Sequence, residues 1–226
     1  MNNYKKIINY FQKWEGAGML GLGMMAVGFL FLWLGWSYFS YILAIVLMLG
    51  GIGIFLYGNI GRGTESDLTD RIKQELEKIT FKELEEDSAL RKRTPKNPEE
   101  MTFECFEMRD GLFFKKKKDA SVISSEYTCI KMIFLNDALY LKKSTFSLIS
   151  DEKQTETADI RFDEISDITV ERNVFMVGTG EKKQHRVRTC FVVICYGNGQ
   201  KILLPKADDA YVDDFASTLK KKCGIL

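Results

Sequence analysis

The clearest feature of the hydrophobic pattern is a long apolar run near the amino terminus. No charged residue occurs from Ala17 to Gly58, and one membrane-spanning helix needs about 20 apolar residues. The middle of the run, Trp36-Ser37-Tyr38-Phe39-Ser40, combines aromatic rings with small hydroxyl residues, which is typical of a turn at a membrane interface. The pattern therefore predicts a transmembrane hairpin over 16–60, with spans at 17–36 and 39–58. A cleaved signal peptide is the alternative, but it would contain one short apolar region.

Small residues recur at seven-residue intervals in both predicted spans: Gly21, Gly28 and Gly35 in the first, and Ala44, Gly51 and Gly58 in the second. An antiparallel hairpin with its turn between Phe39 and Ser40 sets these positions opposite one another. The expected pairs are Gly35 with Ala44, Gly28 with Gly51, and Gly21 with Gly58. Because lipid provides no hydrophobic drive for helix pairing, close backbone contact must hold such helices together. We therefore predict a helix-packing seam, used either within the hairpin or for pairing with a helix of another protein.

Charges flank the hairpin on its outer sides only. The basic flanking residues are Lys5, Lys6 and Lys13 before the first span, and Arg62, Arg71 and Lys73 after the second. The connecting turn is uncharged, so the positive-inside rule predicts a two-span protein of the cell membrane with both termini in the cytoplasm. Neither span contains an ionisable residue, which favours an anchor or docking element over an ion or proton path.

Residues 1–15 have apolar positions at helical spacing: Tyr4, Ile7, Ile8, Phe11 and Trp14. Polar residues, among them Lys5, Lys6 and Lys13, lie between them. This pattern predicts either an amphipathic helix at the cytoplasmic membrane interface or a helical extension of the first span.

A highly charged segment, 61–98, follows the hairpin and is expected to be a helical linker. Its narrow apolar stripe consists of Leu68, Ile72, Leu76 and Ile79. Thr64 or Ser66 can cap the helix start, and Thr80 with Glu83 has capping-box spacing, so a second helix or a kink is expected there. Pro95 and Pro98 end the helical region. The stripe suits a solvated spacer with one docked face, or pairing with its copy in a dimer.

From residue 99 to 226 the pattern changes to alternating strands with turn residues between them. Asp110-Gly111 and Asn136-Asp137 each predict a hairpin, and Gly197-Asn198-Gly199 predicts the turn of a third. Further strands are expected at "TADIRF", "SDITVER", "RVRTCFVVICYG" and "QKILLP". An amphipathic helix closes the segment, with Asp208 as a possible cap. Its buried face is expected to hold Val212, Phe215, Ala216 and Leu219.

Composition adds little chemistry to this organisation. The 226 residues include 32 basic and 31 acidic side chains, so bulk charge gives no support for nucleic-acid binding. The five cysteines are scattered without C-x-x-C spacing, as expected for buried hydrophobes or free thiols rather than metal ligands. His185 is the one histidine, and no motif near it has catalytic spacing. We therefore expect no enzyme, no cofactor and no metal site.

Two basic clusters are candidate contacts for headgroups or a partner. The first consists of Lys115, Lys116, Lys117 and Lys118, and the second of Lys182, Lys183, Arg186 and Arg188. Strand geometry is expected to divide each cluster between two faces. The clusters therefore suit either a solvated edge that resists strand addition or contact with anionic headgroups.

Three stretches carry a family resemblance: "MIFLNDALYLKKS", "IRFDEISDITVERN" and "FVVICYGNGQKILLPKADDAYVDDFASTLKK". They resemble the early hairpin, the middle strands, and the last hairpin with its capping helix in bacterial membrane-anchored PH/GRAM-like (pleckstrin-homology-like) domains. The resemblance covers 127–222 and leaves 101–126 open between an added hairpin and a part of the domain. It implies an α+β chain with a PH-like antiparallel sandwich or barrel, closed at one end by a helix, with ligand loops at the other end.

The resemblance implies a binding module rather than a catalyst. We therefore expect a non-enzymatic membrane-anchored adaptor or assembly subunit that presents a cytoplasmic PH-like domain, 99–226, to a protein partner. The alternative is a lipid-headgroup-sensing or regulatory membrane protein. The expected partners are membrane lipids together with either another protein or a second copy of the chain. Such a protein would bind through the hairpin, the linker helix or the domain. A membrane enzyme would need a clustered catalytic site that the sequence does not show.

Overall fold

The computed structural model describes residues 3–13, 16–35, 37–117, 119, 121–178, 184–206 and 210–225. The chain is α+β, as predicted: two apolar helices near the amino terminus are followed by antiparallel sheets and a carboxy-terminal helix. It divides into two compact units, Met1–Thr69 and Asp70–Leu226. The boundary falls inside a helix of the charged segment, so most of the predicted linker belongs to the second unit.

The first unit contains α1 (Asn3–Gln12), α2 (Ala17–Leu34) and α3 (Tyr38–Asn59). Both α2 and α3 are long and apolar enough to cross a membrane. The buried share of the apolar window is only 17% in α2 and 11% in α3. A core helix of a soluble protein would be mostly buried, whereas these two helices expose apolar side chains as a lipid-facing hairpin does.

The turn between α2 and α3 lies earlier than the sequence pattern predicted. Gly35 ends α2 in the left-handed conformation, with φ of 54°, and its amide donates to the carbonyl of Phe31. Ser37 then caps α3, because its hydroxyl accepts a hydrogen bond from the Ser40 amide. The predicted turn between Phe39 and Ser40 is therefore wrong by about one helical turn, since those two residues already belong to α3.

Helix α1 is separate from α2 and contacts the end of α3. The Lys13 ammonium donates to the carbonyls of Tyr57 and Ile60 at 2.7 and 2.8 Å, where a cation is favourable because helix carbonyls end unpaired. The Asn9 amide donates to the Gly61 carbonyl at 2.9 Å. Ile7 is buried within the protein, so the apolar side of α1 is not wholly open to lipid.

The second unit is built from antiparallel strands. Their bounds are β1 Glu100–Phe106, β2 Phe114–Lys116, β3 Val122–Ser124, β4 Glu126–Phe134, β5 Ala138–Ser147, β6 Lys153–Arg161, β7 Ile165–Gly178, β8 Gln184–Tyr196 and β9 Gln200–Lys206. Within the described residues they form sheets in the orders β1-β4-β5-β6, β2-β3 and β7-β8-β9.

The two larger sheets and the carboxy-terminal helix share one hydrophobic core. Ile130 and Leu141 of the four-stranded sheet lie in it together with Val192 and Leu204 of the three-stranded sheet. The helix, which starts at Val212 and ends at Lys222, is numbered α7 below. It buries Val212, Ala216 and Leu219 as predicted, and half-buried Phe215 packs edge-on against Phe103. Asp208, the expected cap, lies outside the described residues.

Two of the three predicted hairpins form, and one has the wrong partner. Strands β4 and β5 pair around the turn at 136–137, and β8 pairs with β9 around 197–199. Asp110-Gly111 does form a turn, but β1 pairs with β4 instead of β2. That pairing sets Phe103 opposite Ile130 in the core, which the three-residue β2 could not do. Segment 101–126 therefore supplies an edge strand of the main sheet.

The charged segment folds into α4 (Glu65–Glu77), α5 (Lys82–Glu86) and α6 (Ser88–Arg93). Thr64 caps α4 through a reciprocal pair of hydrogen bonds with Asp67. The predicted capping box of Thr80 and Glu83 does not form, because α5 has no side-chain cap and Glu83 pairs with Lys142 instead.

Residues 70–94, called the linker strap below, pack on the face of the four-stranded sheet that points away from the shared core. Two lysines of the sheet donate to backbone carbonyls of the strap, Lys131 to Ile79 at 2.6 Å and Lys142 to Thr80 at 2.8 Å. An apolar cluster lies beside them and consists of Leu84, Ile133, Leu135, Ala138 and Tyr140, with Phe81 and Leu90 at its margin. The strap is thus a covering layer of the sheet, with several of its residues buried.

A buried carboxylate adds an ionic contact between the strap and the sheet. Glu75 is buried and contacts Arg71, Lys78 and Lys153 at 2.9, 2.6 and 3.4 Å. Burial alone would raise the pKa of Glu75, but the hydrogen bond from Lys78 and two neighbouring cations lower it below its ordinary value. The carboxylate is therefore charged at neutral pH and favours the docked strap.

Candidate functional site

The core-facing side of the four-stranded sheet changes from apolar to polar along its length. Cross-strand rows on β4, β5 and β6 show this change. The two apolar rows are Phe134–Leu139–Ile160 and Met132–Leu141–Ala158, and the next two are Ile130–Lys143–Glu156 and Thr128–Thr145–Gln154. Alternation keeps all four rows on one side, so the polar rows continue the same surface beyond the core.

Two adjacent cavities of about 340 and 480 Å³ lie over these polar rows. Five carboxylates (Glu107, Glu126, Asp151, Glu152, Glu156) and three cations (Arg109, Lys143, Lys153) line them, with Thr145 and Gln154. Arg109 donates two hydrogen bonds to the Glu126 carboxylate, at 3.1 and 2.5 Å. Thr128 donates to Glu107, and the hydroxyls of Thr128 and Thr145 are 2.7 Å apart. We call this region the polar cleft.

The polar cleft lies at the end of the sheet away from α7. Helix α7 reaches the start of β1 and the end of β4, because Lys222 pairs with Glu99 and lies 5.1 Å above the Phe134 ring. The cleft residues Glu107 and Thr128 lie at the opposite ends of those two strands. The shared core is therefore covered by a helix at one end and followed by an open polar surface at the other.

The thiols near the sheet are not activated nucleophiles. All five cysteines are free. Burial, together with the Glu107 carboxylate, raises the pKa of Cys105 to about 12, and burial raises the pKa of Cys129 to about 11. At neutral pH these thiols are protonated. Among the residues that the structure describes, no cluster of His, Cys, Asp and Glu is arranged to hold a metal ion. The carboxylates, cations and hydroxyl groups that line the cleft can bind a ligand through hydrogen bonds and charge.

The first basic cluster does not form one surface. Lys115 is only 8% exposed, whereas the neighbouring Lys116 is exposed on the other side of β2. Lys117 is half-buried, and Lys118 lies outside the described residues. The expected division between two faces is therefore seen for Lys115 and Lys116.

The second basic cluster lies on a two-stranded extension. Strand β9 pairs with β8 only from Cys190 onwards, whereas β7 pairs with β8 as far as Gln184. We call residues 173–178 and 184–189 the β7–β8 arm. Arg186 and Arg188 are exposed and share one side of it, because they are two positions apart. The predicted division of the four-residue cluster between two faces stays a prediction, because it depends on the other two members. Lys182 and Lys183 lie outside the described residues.

Five of the six predicted seam residues lie where α2 and α3 meet. Gly21, Gly28, Ala44, Gly51 and Gly58 are all buried. A Cβ atom added to Gly21 would lie 2.6 Å from the Gly51 carbonyl oxygen, and one added to Gly28 would lie 2.9 Å from that of Ala44. Gly58 is closest to Ala17 and Gly18. Gly35 is the exception, since it ends α2 as a left-handed cap.

The predicted pairs are therefore wrong by one seven-residue interval. Gly21 lies against Gly51 instead of Gly58, and Gly28 against Ala44 instead of Gly51. When the turn of an antiparallel hairpin moves by one residue along the chain, the residue that faces a given position changes by two. A turn that lies between three and four residues earlier therefore gives a shift of seven, and the observed caps, Gly35 at the end of α2 and Ser37 at the start of α3, account for the difference.

Sequence reasoning missed the polar cleft and the apolar part of the arm. The alternation of Leu139, Leu141, Lys143 and Thr145 along β5 carries the signal for the cleft, but it gains meaning only when β4 and β6 are placed in register beside it.

Comparison of the chain with protein-family models, curated proteins and solved structures found no match.

Proposed function

We propose that this protein is a non-enzymatic membrane-anchored adaptor or assembly subunit, whose second unit is a PH-like domain that binds a protein partner in the polar cleft. The observation that carries the proposal is the open polar end of the sheet, away from α7. The resemblance to PH/GRAM-like domains implies this arrangement: two sheets surround one core, a helix covers one end, and a binding surface lies at the other end.

The charges of the cleft favour a peptide segment over a phosphate headgroup. Carboxylates outnumber cations among its lining residues, and Arg109 is already held by Glu126. A phosphate would meet repulsion from the remaining carboxylates. A protein segment with Lys or Arg side chains and backbone amides would instead find acceptors for its donors. The lipid-sensing alternative therefore has less support in this cleft than the adaptor.

The proposal places both termini and the second unit in the cytoplasm, because basic residues flank the outer ends of the apolar helices and the turn is uncharged. Single cysteines at Asn2 and Ser37, in a chain without the native cysteines, should report this topology. An impermeant thiol reagent added to intact cells is expected to label position 37 and leave position 2 unlabelled. Labelling at position 2 with protection at 37 would show the opposite orientation.

Partner binding is best tested by crosslinking in native membranes followed by purification in mild detergent. We expect one protein to be captured in stoichiometric amount. Gln154→Lys with Glu156→Lys should reduce its capture at least tenfold, because two added cations repel a basic segment and interface centres carry most of the affinity. Thr155→Lys is the matched control, since position 155 lies on the same strand and faces the other side of the sheet.

Three results would decide between the adaptor and its alternative. Loss of the captured protein in the double variant alone supports the adaptor. Equal loss in Thr155→Lys would mean that the cleft is not the binding site. Purification without any stoichiometric protein, but with retained lipid, would favour the lipid-sensing function.

A further inference from the structure

The β7–β8 arm has one exposed face that combines apolar and basic side chains. Val174 is paired with Arg188 across the two strands, and Met176 is paired with Arg186. Directly paired residues lie on the same side of a sheet, so these four side chains form one face. Val174 is 47% exposed and Met176 is 58% exposed. The other face carries Val177, which is buried, and Phe175 and Val187, which are half-buried, so it is the less exposed side of the arm.

The exposed face is positively charged. Residues 173–178 and 184–189 contain no Asp or Glu. Arg186 and Arg188 make no ion pair with any described residue, whereas Arg172, just before the arm, pairs with Asp213 at 2.7 Å. Basic residues beside exposed Val and Met side chains suit a surface that is negatively charged on the outside and apolar beneath it. That combination is characteristic of the headgroup region of an anionic bilayer.

We propose that this face of the arm rests on the surface of an anionic membrane. Val174 and Met176 enter the headgroup region, and Arg186 and Arg188 bind lipid phosphates. The proposal adds a second membrane contact to the apolar helices and concerns a surface different from the polar cleft. Its residues are not used in partner capture, so either proposal can fail without the other.

The size of the face favours a bilayer over a protein as its occupant. A stable protein interface buries about 800 Å² on each partner, and two aliphatic side chains with two arginines cover only a small part of such an area. A bilayer contact needs much less affinity here, because the same chain carries two helices that can span a membrane. Tethering converts a weak contact into a populated one through high effective concentration.

The test uses the full-length chain in lipid nanodiscs, with an environment-sensitive fluorophore on Met176→Cys. Cys195→Ser serves as the background, since the other native thiols are buried or have a raised pKa. A nitroxide-labelled phospholipid acts as the quencher. Leu203→Cys is the matched control because Leu203 is 40% exposed on β9, outside the arm.

We expect a blue-shifted and quenched signal at position 176 in nanodiscs that contain phosphatidylglycerol, and a polar, unquenched signal at position 203. Arg186→Gln with Arg188→Gln should weaken partitioning of the arm about 30-fold, since each basic residue contributes roughly five- to sixfold. Circular dichroism of each variant verifies that the fold is kept, and partner capture should be unchanged.

Several outcomes would overturn the proposal. These are an unquenched probe at position 176, equal quenching at positions 176 and 203, and quenching that persists in pure phosphatidylcholine. Quenching that survives both glutamine substitutions with the fold intact would equally exclude recognition of anionic lipid by the arginines.

Discussion

Replacing Gly21 with leucine is expected to separate α2 from α3 and to lower the stability of the hairpin by about 3 kcal/mol or more. A Cβ atom at this position would lie 2.5 Å from the backbone nitrogen of Phe55 and 2.6 Å from the carbonyl oxygen of Gly51. Both are backbone atoms of α3, so no side chain can rotate away. The helices would have to move apart along the seam, with loss of the close packing that holds helices together in lipid.

Gly23→Leu is the matched control, because a Cβ atom at Gly23 would have no neighbour within 4 Å. Both variants place the same side chain in α2, two positions apart. Unfolding of the first unit can be followed by titration with a denaturing detergent. Gly21→Leu should unfold at a clearly lower denaturant fraction than the wild type, and Gly23→Leu close to it. Equal loss in the two variants would show that the small residues do not form a packing seam.

The hairpin shows why a sequence can reveal a packing surface but not its register. Small residues at seven-residue spacing lie on one face of a helix. They indicate the packing face whichever residues of the partner helix lie opposite. The register depends on where the turn begins, and a glycine such as Gly35 serves equally well in a seam or as a left-handed cap. Gly35 ends α2 and Ser37 starts α3. The choice rests on a few hydrogen bonds that the spacing of small residues does not encode.

In the second unit, local pairings could be predicted and distant ones could not. Strands β4 and β5 are joined by a short turn, so alternation and turn chemistry identify the hairpin. Nineteen residues separate β1 from β4, and the pairing of these two strands is decided by burial of Phe103 in the shared core. The polar cleft depends on the same distant pairings, because its lining comes from the ends of four strands. Its residues are separated along the chain and meet only in the folded sheet.

The linker strap is the second case of a missed distant contact. Its apolar stripe and helix starts can be seen in the sequence, but the surface that it covers cannot. Ile133 and Tyr140 belong to strands that the alternation predicts, and strand alternation leaves them on the side away from the shared core. An uncovered sheet with such residues would be unusual for a soluble domain. Buried residues on both sides of β4 are thus the sign that a third layer is present.

Removal of the strap is expected to abolish stable folding of the second unit. A fragment of residues 101–226 would lack Phe81, Leu84 and Leu90 and would expose Ile133, Leu135 and Tyr140, which are now between 1% and 5% exposed. Burial of a large apolar side chain contributes about 1.5–3 kcal/mol. The loss is therefore roughly 5 kcal/mol, comparable with the whole stability of a marginal domain. Lys131 and Lys142 would also lose their carbonyl acceptors.

A fragment of residues 64–226 keeps the strap together with the Thr64–Asp67 cap of α4, and we expect it to be monomeric and to unfold cooperatively in urea. The shorter fragment should aggregate or give no cooperative transition, as judged by size-exclusion chromatography and circular dichroism. Leu84→Ala in the longer fragment provides an intermediate case, with an expected loss of about 2–3 kcal/mol because Leu84 is buried in the apolar cluster. Equal urea midpoints for the two fragments would mean that the strap is a spacer and the strands fold without it. A cooperative longer fragment beside an aggregated shorter one would establish that the segment 64–100, which contains the strap, is part of the domain.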